Sequence, residues 1–205
     1  MEKKIKIVGI GGSLGKNSTS LAALKLALQG AAEAGAEIEL LDMRTLDLPF
    51  YSPDAEAPES AQRLAESVYS ADGLLWASPL YHGTISGSFK NAIDWLQLLG
   101  DRDPAYLTDK VVGLISTAGG AHGVQAVNTM ESIVHALRGI TVSRFVPIPR
   151  AWQIFAEAGK MNDPQLETQL KLLGAEVVEL ARRVRRPAYI STAAVPEDTS
   201  GVSLN

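Results

Sequence analysis

The chain has 205 residues, 46% of them hydrophobic and 20% charged, a length and balance that suit one soluble globular domain with a full core. A formal net charge of −4 argues against nucleic acid as the main partner, and it is mild for an acidic carrier that docks by charge. Without cysteine, disulfides, thiol catalysis and cysteine metal sites are excluded, and no apolar run is long enough to span a membrane.

Met1-Glu2-Lys3-Lys4 before a short apolar run imitates a signal peptide, but Lys6 interrupts the run and glycines end it too soon, so the cytoplasm is the expected compartment. Ile5, Ile7, Val8 and Ile10 form the apolar run of a buried parallel strand. Gly9, Gly11, Gly12 and Gly15 follow, then Asn17, Ser18, Thr19 and Ser20. Recurring leucines give a helix over residues 18–34, with Asn17 or Ser18 as its N-cap and Gly35 as its stop. Residues 37–41 alternate as a second strand ending near Asp42. The proline-bearing stretch 46–54 is the longest loop and a candidate pocket wall. A helix over 60–70 places Leu64 and Val68 on one face.

Residues 73–77 are apolar throughout, a central third strand whose exit loop is 78–84. A helix follows over 85–99, then a fourth strand over 111–116 with its exit loop at 117–123, and a helix over 124–137. Residues 140–146 form a short edge strand that Pro147 and Pro149 break off. Residues 152–161 show no clear pattern. Asp163 and Pro164 open a last helix to about 186, where Pro187 stops it. The tail, 191–205, is polar, small and expected to be loose, which leaves one domain over 1–190. Alternating strands and helices imply an α/β sheet covered on both faces.

The first strand, its Gly/Ser loop and the helix after it have the layout of a phosphate cradle, in which turned backbone N–H groups and a helix start face an anion. A P-loop would need glycine at Ile10 and a hydroxyl at Asn17. A dinucleotide fingerprint would need glycine at Leu14. Gly11-Gly12-Ser13-Leu14-Gly15 matches a nucleophile elbow, but that elbow belongs after a central strand with an oxyanion loop upstream. What remains is a ring of hydroxyls and amides around one terminal phosphate, the FMN style of site in flavodoxin-type sheets.

Ligands of open parallel sheets bind outside the carboxyl ends of the strands. The third-strand loop adds Tyr81 and His82, which can lie against a flat ring, and the fourth-strand loop adds Gly119-Gly120, where backbone can approach a ring edge. One loop for a phosphate and two for a planar ring describe one FMN.

Over about residues 4–137 the sequence resembles the NAD(P)H-dependent FMN reductases of the flavodoxin-like superfamily, relatives of arsenical-resistance flavoproteins and of chromate and quinone reductases. The resemblance is carried by Gly12-Ser13-Leu14 with Ser18, by Asp47-Leu48-Pro49 with Pro53-Asp54, by Pro79-Leu80-Tyr81-His82-Gly83 with Ser86-Gly87 and Lys90-Asn91-Ala92-Ile93-Asp94-Trp95, and by Gly119-Gly120. It implies a doubly wound five-stranded parallel sheet of order 2-1-3-4-5 and hydride transfer from NAD(P)H through FMN to a small-molecule acceptor such as free flavin, a quinone, chromate, or an azo or nitro compound. It assigns the phosphate to the loop holding Ser13, Gly15, Lys16, Asn17, Ser18, Thr19 and Ser20. Pro79, Leu80, Tyr81, His82 and Gly83 should lie along the isoalloxazine, and Ser116, Ala118, Gly119 and Gly120 should border its other side. The family's usual arginine is replaced by Gly15, which leaves Lys16 or the hydroxyls and amides to meet the phosphate. Members pair through the helix at 85–99, whose Trp95, Leu98 and Leu99 also exceed one buried face, so a homodimer or homotetramer is expected; the alternative is that Trp95 and Leu99 pack under the 46–54 loop of the same chain.

Hydride transfer needs no protein nucleophile, so no catalytic residue is named, and His82 is the one side chain to test as substrate-facing. His122 and His135 stand apart, without a carboxylate motif for a metal. Tyr106 and Lys110 match the spacing of a short-chain dehydrogenase pair but precede a strand rather than lie on a helix. Arg182, Arg183, Arg185 and Arg186 suit a helix C-terminus better than the 2′-phosphate of NADPH. A flavodoxin-like carrier without NAD(P)H turnover and a serine hydrolase using Ser13 are the competing readings.

Overall fold

A computed structural model describes residues 3–155 and 161–185. Five strands, β1 (Lys6–Gly11), β2 (Glu37–Asp42), β3 (Gly73–Tyr81), β5 (Val111–Thr117) and β6 (Ile140–Ile148), form a parallel sheet in the order β2-β1-β3-β5-β6, and a short β4 (Thr84–Ile85) pairs antiparallel with the end of β3. Apart from the β4 arm, this is the flavodoxin-like order expected from the sequence. The helices are α1 (Thr19–Glu33), α2 (Met43–Leu46), α3 (Glu59–Ser70), α4 (Gly87–Asp94), α5 (Val124–Ala136), α6 (Ala151–Ile154) and α7 (Pro164–Val184).

The central strands are apolar throughout because both faces are covered. Along β3, Leu74 and Trp76 enter the core shared with α3, α4 and α5, while Leu75 and Ala77 enter the core shared with α1 and α7. Helix α1 starts where Ser18 Oγ accepts from Leu21 N at 3.2 Å. It ends in a Schellman turn at Gly35, φ 89°, with Ala36 N donating to Ala31 O at 3.1 Å. Helix α7 opens on Asp163, whose Oδ1 accepts from Gln165 N and Leu166 N, with Pro164 in the first turn.

Four elements differ from the sequence reading. Strand β3 continues through Ser78–Tyr81, and His82 (φ 51°) and Gly83 (φ 88°) make a two-residue turn into β4, so 78–84 is a hairpin rather than a plain exit loop. The following helix starts at Gly87, capped by Ser86, and tightens to a 3₁₀ turn over Trp95–Leu99. Strand β6 runs on through Pro147 to Ile148, which an edge strand tolerates. The patternless segment holds α6 and a bridge between Phe155 and Met161. Arg186, Pro187 and the tail lie outside the described residues.

The apolar surplus of the 85–99 segment is absorbed within the chain. Trp95 is 1% exposed and Leu99 fully buried; Trp95 Nε1 donates to Pro49 O at 2.9 Å, and its ring meets Tyr51 edge-on at 5.2 Å. Asn91 pins the same loop through Pro49 O and Tyr51 N, so the 46–54 stretch covers α4. Of the three residues, Leu98 alone is exposed.

The arginines of α7 serve the amino-terminal edge of the sheet. Arg182 donates to Ala34 O, Arg183 pairs with Glu179, and Arg185 holds Lys3 O and Asp72. Lys110 donates to Tyr69 O at 2.7 Å and Ala71 O at 2.8 Å, closing the end of α3. Burial pushes its pKa below the ordinary lysine value, against the pull of Asp72 and Asp109.

Candidate functional site

The end of β1 fixes where the site lies. Gly11 has φ 154°, and a Cβ there would stand 2.1 Å from Ala77 O, so no other residue fits between β1 and β3. Gly12 N donates to that same carbonyl at 3.1 Å. The chain then loops back to α1, and one hydroxyl closes the loop and caps the helix together: Ser18 Oγ accepts from Ser13 N at 2.9 Å and from Leu21 N. With both lone pairs taken, its hydrogen is left to donate to a ligand.

A cleft of about 270 Å³ opens at this edge of the sheet. Ser13, Gly15, Asn17, Ser18, Thr19 and Ser20 line one part of it, Pro79, Leu80 and Tyr81 another, and Thr117, Ala118 and Gly119 a third. Most of the residues singled out from the sequence thus share one concavity. Ser20 Oγ and Thr117 Oγ1 meet at 3.0 Å and join the first and third groups.

Five of the expected residues are not on its wall. Lys16 is exposed, and its carbonyl accepts from Arg44 Nη1 at 3.3 Å. His82 and Gly83 form the exposed tip of the β3–β4 hairpin. Ser116 is fully buried and donates to Gly123 O at 2.6 Å. The carbonyl of Gly120 accepts from Arg150 N at 3.1 Å. Conversely, Ala151 and Trp152 line the cleft without any glycine or hydroxyl pattern to mark them.

The described wall carries no formal charge. Beside the loop, burial pushes the Asp42 carboxyl up, but hydrogen bonds from the Arg44 side chain and backbone outweigh it and hold Asp42 below the usual carboxylate value. That pair is satisfied internally, at 2.6 Å. An anion in the cleft is therefore met by dipoles: hydroxyls, backbone amides and the first turn of α1, whose N–H groups have no intrahelical partners. No His, Asp or Glu is among the described wall residues, so Ser13 has no general base there and a hydrolase mechanism has no support in the geometry.

A doubly wound parallel sheet with a dipolar anion cradle at its carboxyl edge defines a protein of the flavodoxin-like class. The sequence profile of the NADPH-dependent FMN reductases matches residues 5–153, and the chain belongs to that family. It is 28% identical over 204 residues to a probable NADPH:quinone oxidoreductase 2 of rice, covering 94% of this chain and 97% of the rice protein. It is 41% identical over 98 residues to an NAD(P)H-dependent FMN reductase of Pseudomonas aeruginosa, of which it spans about half, 51%. Among solved structures, the flavoenzyme NAD(P)H:(acceptor) oxidoreductase FerB of Paracoccus denitrificans superposes with a TM-score of 0.68 at 25% identity, covering 88% of this chain and 98% of that one. A flavodoxin-type WrbA-like protein of Agrobacterium tumefaciens shares the fold, with a TM-score of 0.63, 16% identity, and coverage of 89% and 100%.

The family's cofactors are FMN and NADPH, and its members are NAD(P)H-dependent oxidoreductases. The residues present fit the flavin nucleotide. The donor set around α1 suits a phosphate monoester, and at Gly119 an added Cβ would meet nothing within 4 Å, leaving open space beside the backbone.

Proposed function

We propose that the protein holds FMN in this cleft and passes reducing equivalents from NAD(P)H to a small-molecule acceptor, with quinones as the first class to test. The observation that carries the proposal is the meeting of the Ser13–Ser20 hydroxyls with Pro79, Leu80, Tyr81 and the Thr117–Gly119 backbone in one cleft. The rice relative's name supports the quinone class, since that alignment spans nearly both chains. Free flavin, chromate, azo and nitro compounds are the other acceptors to compare.

FMN, when bound, supplies two-electron storage between a hydride donor and an acceptor. The chain's own part is to bind and orient. Ser13, Ser18, Thr19 and Ser20 would donate to the phosphate, with α1's amides behind them. Pro79, Leu80 and Tyr81 would lie along the ring, and the Gly119 amide would stabilise negative charge at its edge, the Ala118 amide being taken by Ile148 O at 2.9 Å. Assembly as a homodimer or homotetramer along 85–99 belongs to the same proposal and is supported by the exposed Leu98 and by the expected family pairing.

Steady-state oxidation of NADPH and of NADH against the acceptor panel tests the reading. Acceptor-dependent turnover that needs FMN is expected; absence of turnover with every acceptor at saturating FMN would contradict it.

A further inference from the structure

Of the three tryptophans, Trp76 and Trp95 are buried in the core, whereas Trp152 is 67% exposed and lines the cleft. Its exposed indole face is open to a ligand in the cleft. Its place is fixed by the backbone. Ala151 N donates to Ala118 O at 2.9 Å, Trp152 Nε1 to Gly119 O at 3.4 Å, and Arg150 N to Gly120 O at 3.1 Å. Three successive carbonyls are thus turned toward α6. In a trans peptide the next residue's N–H points opposite to the carbonyl, so the amides of Gly119, Gly120 and Ala121 are turned away from it. Gly119 and Gly120 leave those amides unshielded, since a Cβ at either would touch nothing within 4 Å. The corner therefore combines an aromatic face with a row of exposed amides.

We infer that Trp152 is a ring-positioning residue: its indole packs on a planar, carbonyl-bearing heteroaromatic ring in the cleft, and its N–H holds the Gly119 carbonyl so that the following amides meet that ring's acceptor edge. The ring is the isoalloxazine if the flavin reading of the cleft is right, and the inference rests on that reading. Trp152 contributes to the ring and not to the phosphate, which separates its role from that of Ser13 and Ser18.

Calorimetric titration of the full chain with FMN and with riboflavin, using wild type, Trp152→Ala and Trp152→Phe, tests this. Loss of aromatic stacking should weaken both ligands in Trp152→Ala by about tenfold, leaving their ratio unchanged. Trp152→Phe should recover most of that loss. As a second readout, iodide should quench the wild-type tryptophan emission through Trp152, and riboflavin should lower the quenching constant. Trp152→Ala binding both flavins as wild type does would overturn the inference. So would a loss confined to FMN, a Phe variant no better than the Ala variant, or iodide quenching unmoved at saturation. If wild type binds neither flavin, the flavin reading fails and this inference fails with it.

Discussion

Ser20 Oγ and Thr117 Oγ1, 97 residues apart in sequence, share a buried hydrogen bond of 3.0 Å. That bond ties the first turn of α1 to the end of β5, so the anion cradle and the β5 exit loop hold one position relative to each other. Ser20→Ala leaves the Thr117 hydroxyl buried without its partner and should cost about 1–3 kcal/mol of stability. Adding Thr117→Val should recover part of that loss, because both polar groups are then gone. Urea unfolding of the two single variants and the double variant measures it; fully additive losses would mean that the pair does not act as a unit.

Ser13→Ala with Ser18→Ala should weaken FMN by at least about tenfold and riboflavin little, since charge-assisted hydrogen bonds are worth roughly 1.5–3 kcal/mol each. Ser18 also caps α1 and fixes Ser13 N, so its loss should lower stability by about 1 kcal/mol on its own. Ser13→Ala alone avoids that cost and serves as the control. Equal losses for FMN and riboflavin would make these serines structural.

The sequence made much of this site legible because the loop at its centre needs unusual residues. Gly11 stands where no side chain fits, Gly12 takes a φ of 97° that favours glycine, and Ser18 signals a helix start directly ahead of recurring leucines. The arrangement of 78–84 was hidden because strand β3 is apolar on both faces and shows no alternation to mark its end, and because His82 takes a positive φ that few non-glycine residues adopt. Trp152 was hidden for a different reason. Its contribution depends on bonds to a loop more than 30 residues earlier, such as the side-chain bond from Trp152 Nε1 to Gly119 O with a separation of 33, and no local pattern encodes them. Helical spacing placed Trp95 on an outer face of the 85–99 segment and left two covers open, a second copy or the 46–54 loop; Pro49 O and Tyr51 of that loop provide the cover.

Trp95 is for that reason a poor probe of assembly, and Leu98 is the better one. Leu98→Glu alters the exposed member of the group and should leave the fold intact. If copies pair along 85–99, light scattering should show the variant shifted toward monomer at micromolar concentration. A wild type that is itself monomeric there would end the assembly proposal.

Lys110 gives a pH dependence with a definite sign. Its folded-state pKa lies below the ordinary 10.5 because burial disfavours the charge. Between that lowered value and 10.5, the unfolded chain keeps the proton that the folded chain has released, so stability rises with pH across the window and is flat, for this group, below it. Lys110→Met should abolish that slope. It should also destabilise by about 1–3 kcal/mol at neutral pH, because Tyr69 O and Ala71 O lose their donor. Urea midpoints of the two proteins from neutral to alkaline pH measure both effects; a parallel pH course would refute the first.

The central claim is that one hydroxyl-rich loop and two ring-bordering loops hold one FMN. Fluorescence titration of FMN into the full chain tests it most directly. The account predicts saturable quenching at one FMN per chain, with riboflavin binding more weakly by the phosphate's share. Absence of saturable binding at micromolar protein, or riboflavin binding as tightly as FMN, would contradict it.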